Sequence, residues 1–168
     1  QVEFNPATVS EYRLIGYENR KLNKEDFNND KVDAGDIGAG DSVTALYEIS
    51  LHDQSTTQID KKRYQSTDRT NDSNSLNNEL AFVKIRYKNP SESKSRLIKH
   101  IVKKDQLQSS LETTSNDFRF SASVAGFAEL LKGGQYQQNF NFTNLIELST
   151  QAKGQDHFGY RNEFIQLV

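Results

Sequence analysis

Apolar residues recur with a period of two over the first hundred positions, and with a period near four after position 115. The first regime predicts strands and the second predicts helices. Val2 and Phe4 flank the polar Glu3 just before Asn5-Pro6, which reads as a short strand closed by a turn. From Val9 to Tyr17 both strand faces carry apolar groups, with Tyr12 and Leu14 on one and Ile15 and Tyr17 on the other, as expected of a strand inside a sheet. Ser42 to Leu51 shows the cleanest alternation, with Val43, Ala45, Tyr47, Ile49 and Leu51 on one face of a half-buried antiparallel strand. Leu80 to Tyr87 and Arg96 to Val102 form a further pair, joined by the turn cluster Asn89-Pro90-Ser91-Glu92-Ser93 and so expected to be a hairpin.

After Ser115 the residues Phe120, Val124, Phe127 and Leu131 recur at helical spacing, and Gly133-Gly134 supplies a stop. A second helix is expected from Thr143 to Lys153, capped by Asn141 or Thr143, with Leu145, Ile146 and Leu148 as its stripe and Gly154 beyond its end. A third starts near Asp156 with Tyr160, Phe164 and Leu167 on one face. Strands first and helices afterwards predict an α+β fold, an antiparallel sheet or sandwich of about five strands followed by a C-terminal layer of about three helices. No internal repeat is visible.

Between the strands lie two polar stretches. Asn23 to Asp26 is expected to form one capped helical turn, leading into the loop Asn28 to Asp41, where Gly35, Gly38 and Gly40 suggest positive φ. Residues 53–78 carry few large apolar side chains and read as a long polar loop.

Length, 168 residues, fits a single domain spanning 1–168. Only 34% of residues are hydrophobic, but seven Tyr and ten Phe supply large apolar area, so a packed interior is attainable. No apolar run approaches the roughly 20 residues of a membrane span. A net charge of −2 gives no overall reason to expect nucleic acid, and the absence of cysteine removes disulfide and thiolate chemistry. The chain starts at Gln1 and contains no Met, so it is expected to be a segment of a longer polypeptide.

Three groups of residues are candidates for a site. Asp26, Asn28, Asp30, Asp33 and Asp36 offer oxygen ligands at spacings reminiscent of a calcium loop. The register departs from a regular calcium loop, since the sixth and twelfth positions counted from Asp26 are Lys31 and Ile37. Asx turns, a helical cap and ion pairs with Arg20 or Lys31 would account for the same residues without metal. Glu18, Asn19 and Arg20 end a strand and could organise adjacent loops through an Arg fork. Lys84, Arg86, Lys88 and Lys99 belong to a segment with eight basic residues and one acid, which reads as a solvated basic face guarding a sheet edge, or as a surface for anionic lipid or an acidic partner. His52, His100 and His157 stand far apart with no zinc spacing, and no serine sits in a nucleophile context. No cofactor is required by these patterns, calcium being the one candidate, and no enzyme chemistry is expected.

Several blocks carry a resemblance that spans the chain: VEFNP at 2–6, EYRLIGYENR at 11–20, EDFNNDKVDAGDIGAG at 25–40, VTALYEI at 43–49, RYQ at 63–65, ELAFVKIRYK at 79–88, DFRFSASVAGFAELLKG at 117–133 and FGYRNEFIQLV at 158–168. In this order they resemble the C-terminal region of bacterial YfbK-type proteins that contain a von Willebrand factor type A (VWA) domain. The resemblance implies an exported chain of the cell envelope or periplasm, whose VWA domain binds ligands through an Asp-x-Ser-x-Ser metal site. No Asp-x-Ser-x-Ser occurs here, so none of those ligands carries over. Asp41 stands where the pattern leads one to expect His, which removes any role built on an imidazole there. The implied role is a non-catalytic accessory domain that supports VWA-mediated binding, with the adjacent VWA domain and an unknown protein as partners and no nucleic acid. Two other readings stay open: a calcium-stabilised extracellular module using 26–36, and an enzyme whose site assembles from distant residues. An interaction domain should expose a contiguous, aromatic-rich apolar patch.

Overall fold

A computed structural model describes residues 1–16, 24–32, 35–38, 40–52, 76–133 and 140–168. Its strands are β1 (Val2–Phe4), β2 (Val9–Ile15), β3 (Leu46–Leu51), β4 (Glu79–Tyr87) and β5 (Arg96–Lys103), followed by helices α1 (Asn116–Leu131), α2 (Phe142–Ala152) and α3 (Tyr160–Leu167). Five strands in two antiparallel sheets and three helices make an α+β fold, as the change of period predicts. Two compact units divide the chain, 1–107 with the strands and 108–168 with the helices.

In the first unit the sheets run β1-β4-β5 and β2-β3, all pairs antiparallel. Val9, Leu51 and Leu80 form the buried core, with Phe4, Ile49 and Val102 packed against it, so all five strands contribute. Asn5 ties the sheets together through its backbone, its N–H donating to the Leu80 carbonyl of β4 and its carbonyl accepting from the Val9 N–H of β2, both at 2.9 Å. Its side-chain amide donates to the carbonyls of Leu76 and Glu79 at 2.8 and 2.9 Å, while its Oδ1 accepts from the Ala7 N–H. The Asn5-Pro6 turn signal is thus a bridge between sheets as well as a strand end, and the hydroxyl of buried Thr8 adds a bond to the same Glu79 carbonyl at 2.7 Å.

The strand expected from Ser42 begins only at Leu46, and Val43 is 69% exposed. The alternation continues back to Val43, but a ladder needs a partner. β2 ends where Ile15 pairs with Leu46, because Gly16 at φ 74° turns the chain away. Of the three loop glycines only Gly40 has positive φ. At Gly38 close approach matters instead, since a Cβ there would lie 2.6 Å from Asp41 Oδ2. The hairpin β4-β5 forms in the expected register, with Tyr87 opposite Arg96.

In the second unit, Ser115 caps α1 by accepting from the Phe118 N–H, and Gly133 at φ 100° follows its last turn. Asn141, rather than Thr143, caps α2 in a reciprocal pair with Asn144. Leu145 and Ala152 are fully buried, and Phe164 of α3 packs edge-on against Phe120 and Phe127, both at 5.5 Å. The expected helical stripes need correction at Val124, Leu131, Ile146, Tyr160 and Leu167, which are exposed. Their places are taken by Ser123 and Gly126 on α1 and Ser149 on α2, all buried. Each serine hydroxyl donates to the carbonyl three residues earlier, which satisfies it without a cross-helix partner.

Candidate interaction surface

Two of the candidate groups meet. The turn Lys24–Asn28 places Phe27 beneath the Arg86 guanidinium, whose carbon lies 5.7 Å from the ring centroid. Arg86 donates to Asn28 Oδ1 at 3.0 Å and to the Ser95 hydroxyl at 2.7 Å, and Lys88 donates to the Asp30 carbonyl at 2.8 Å. The Asp30 carboxylate faces Ser95 in turn. The Ser95 hydroxyl, aided by its N–H and by the charges of Arg86 and Lys88, holds that carboxyl below its ordinary range against a smaller opposing effect of desolvation. Asn29 makes the expected Asx turn, its Oδ1 accepting from the Lys31 N–H at 3.1 Å.

The described members of the calcium candidate are therefore engaged in different ways. Asn28 and Asp30 turn their acceptors to the β4-β5 hairpin, and Asp36 is exposed. Asp33 lies outside the described residues, as do Glu18, Asn19 and Arg20 and residues 53–75 of the polar loop. Among the described residues no three His, Asp or Glu gather as metal ligands. The sequence shows an acidic and a basic segment, but it gives no sign that they pair with each other through Asn28, Asp30, Arg86 and Lys88. Ser95 and Phe27, which complete that lock, carry no sequence signal of their own.

The basic strand is not uniformly solvated. Lys84 reaches Glu3 Oε2 at 3.6 Å and lies over the Phe82 ring, while its cross-strand neighbour Lys99 is exposed. On the opposite face of the hairpin Ile85 and Ile98 stand directly across from each other, 54% and 51% exposed. His52 Nε2 lies 3.0 Å from the Pro6 carbonyl, whereas His100 and His157 are exposed.

Among the described residues the most exposed aromatic side chains lie in the second unit. Phe158 and Tyr160 stack with ring centroids 5.9 Å apart and are 81% and 71% exposed. Asp156 holds this corner. Desolvation opposes ionisation of its carboxyl, but the N–H groups of Asn162 and Arg161, at 2.9 and 3.3 Å, together with Gly159 and the charge of Lys153, keep it below the usual carboxylate range. Asp156 thus caps α3 where Gly159, at the helix start, offers no side chain. Arg161 joins α3 to α1 through Asp117 at 2.6 Å and the Phe120 face at 4.9 Å.

All 168 residues match the family described as "Uncharacterized protein YfbK, C-terminal". The chain belongs to this YfbK C-terminal family. "Uncharacterized protein YfbK" of Escherichia coli (strain K12) is 45% identical over 168 residues, which is 100% of this chain and 28% of that relative. The chain therefore spans little more than a quarter of the curated relative's length, and the match is to a terminal region of a longer protein. No solved structure matches the chain. Among the described residues no helix is long and apolar enough to cross a membrane.

Proposed function

We propose that this YfbK C-terminal domain is a non-catalytic contact domain of a VWA-containing protein of the bacterial cell envelope, and that it packs against the VWA domain to support binding of a protein partner. The observation that carries this reading is the stacked, solvent-facing pair Phe158 and Tyr160. Two adjacent aromatic rings held in a fixed stack are costly to leave in water and are typical anchors of a protein contact. The Asp156 cap and the Arg161 bridge hold α3, and the corner that carries the pair, in one geometry, so little entropy is lost when a partner arrives. The 28% coverage of the longer relative supports a neighbour within the same polypeptide.

The test is a photo-crosslinking residue placed at Phe158 in the longer polypeptide that includes the VWA domain. Adducts on the VWA domain are expected. Adducts confined to this chain's own residues overturn the reading.

A further inference from the structure

Among the described residues no strand covers the outer edge of β5, and its polarity can be worked out residue by residue. The Asn5 N–H donates to the Leu80 carbonyl at 2.9 Å, and the Lys84 N–H donates to the Gln1 carbonyl at 2.8 Å. Leu80 and Lys84 thus turn their backbone toward β1. Backbone groups alternate sides along a strand, so Ala81, Val83, Ile85 and Tyr87 face β5, opposite Val102, His100, Ile98 and Arg96. Leu97, Lys99 and Ile101 consequently direct their N–H and C=O groups away from the sheet. Among the described residues no strand pairs with them, because β5 ends the order β1-β4-β5. The open row stops at Lys103, whose N–H is taken by Gln106 Oε1 at 2.8 Å.

Charge sets β5 apart from its neighbour. Lys84 holds Glu3, Arg86 holds Asn28 and Ser95, Lys88 holds the Asp30 carbonyl, and Arg96 at the start of β5 holds Glu92 at 2.6 Å. Lys99 and Lys103 have no ion pair among the described residues. They share one face of the strand with Leu97 and Ile101, each nearly two-fifths exposed. The edge thus repeats cation, apolar, cation at every second residue beside an unused row of backbone groups.

We infer that this edge receives an extended segment of a protein partner in which two acidic residues four positions apart flank an apolar one. The backbone of Leu97, Lys99 and Ile101 supplies the ladder, the acids meet Lys99 and Lys103, and the apolar residue meets Ile101. The inference rests on the reading of the chain as an interaction domain and adds a second surface with its own ligand chemistry. Lysines on an edge also repel unwanted strands, which is the plainer account. That repulsion is selective, however. A second copy of β5 paired antiparallel about Ile101 would set Lys99 of each strand against Lys103 of the other, whereas an acidic strand meets their complements.

The test is a backbone-amide NMR titration of the full chain with a capped octapeptide of Val and Thr carrying two Glu four apart around a Val. Shifts confined to β5 amides are expected. Lys99→Glu should weaken binding about fivefold or more, and a peptide with both Glu replaced by Lys should bind that variant better than it binds the native chain. Ile101→Pro keeps the charge but removes one outward N–H, and should abolish the shifts while leaving the amides of β1 unmoved. Equal binding of the acidic and lysine peptides overturns the inference, as does broadening of β5 amides with protein concentration alone, which would mark a second copy. Because the crosslink at Phe158 reads a different surface, failure here leaves that result standing and the two failures can be told apart.

Discussion

Arg86 shows how one side chain can join two distant segments. Its guanidinium reaches Asn28 and Ser95 and stacks on Phe27, while its Nε is buried with no acceptor in reach among the described residues. Replacing it by Ala should cost about 1–2 kcal/mol, the ordinary range for hydrogen bonds from a charged donor discounted for partial exposure, and urea unfolding would read it. Lysine should not restore the loss, because a point charge cannot serve two acceptors at fork geometry. For Asp30 the expectation depends on pH. A carboxyl held below its ordinary value contributes fully above about pH 4 and loses that contribution as pH falls through its lowered folded value. The difference in melting temperature between the native chain and Asp30→Asn should accordingly be present at neutral pH and shrink in acid. The cations of Arg86 and Lys88 beside Asn28 and Asp30 also repel a divalent ion, so calcium in place of chelator should leave the melting temperature unchanged. A rise of several degrees would favour the metal reading instead.

The helices reveal their packing through small residues. A Cβ on Gly126 would lie 2.8 Å from Phe140 Cε1, a ring atom that must move to admit it. Gly126→Val gains only a few tenths of a kcal/mol in helix propensity. Overpacking costs about 1–3 kcal/mol and wins, so thermal unfolding should shift down. Asp156→Ala should also lower the melting temperature, by exposing the first N–H groups of α3, and Asp156→Asn should recover part of the loss. These two elements mark the limit of reading the sequence. Periodicity located all three helices and narrowed the cap of α2 to Asn141 or Thr143, because large apolar residues and cap side chains carry strong local signals, whereas the cap of α1 at Ser115 was not singled out. It misassigned Val124 and Leu131, because the face on which α1 is buried is written in Ser123 and Gly126, which a search for bulky residues passes over. The same holds in the sheet, where alternation runs through Val43 but the ladder stops with its partner at Ile15. Of the candidate site, the charges were legible, whereas the pairing between a loop and a strand almost sixty residues away was not, since no local rule encodes it.

On the scale of the molecule, each compact unit holds its own apolar centre: Val9, Leu51 and Leu80 in one, Phe120, Leu145 and Ala152 in the other. Leu145→Ala, at a position with no exposed surface, should cost about 2–5 kcal/mol, and hydrogen exchange should quicken more in α1 and α2 than in β4 and β5. The pairing of β1 with β4 has a different consequence, one of timing. Val2 lies opposite Val83, some eighty residues later in the chain. At about 5–20 residues per second of synthesis, the first strand leaves the ribosome on the order of ten seconds before its neighbour exists. During that interval its backbone has only water to bond with, and the bridge from Asn5 to Glu79 cannot close. Assembly of this sheet must therefore wait for β4, so refolding should be slow relative to the helical unit, whose contacts are local.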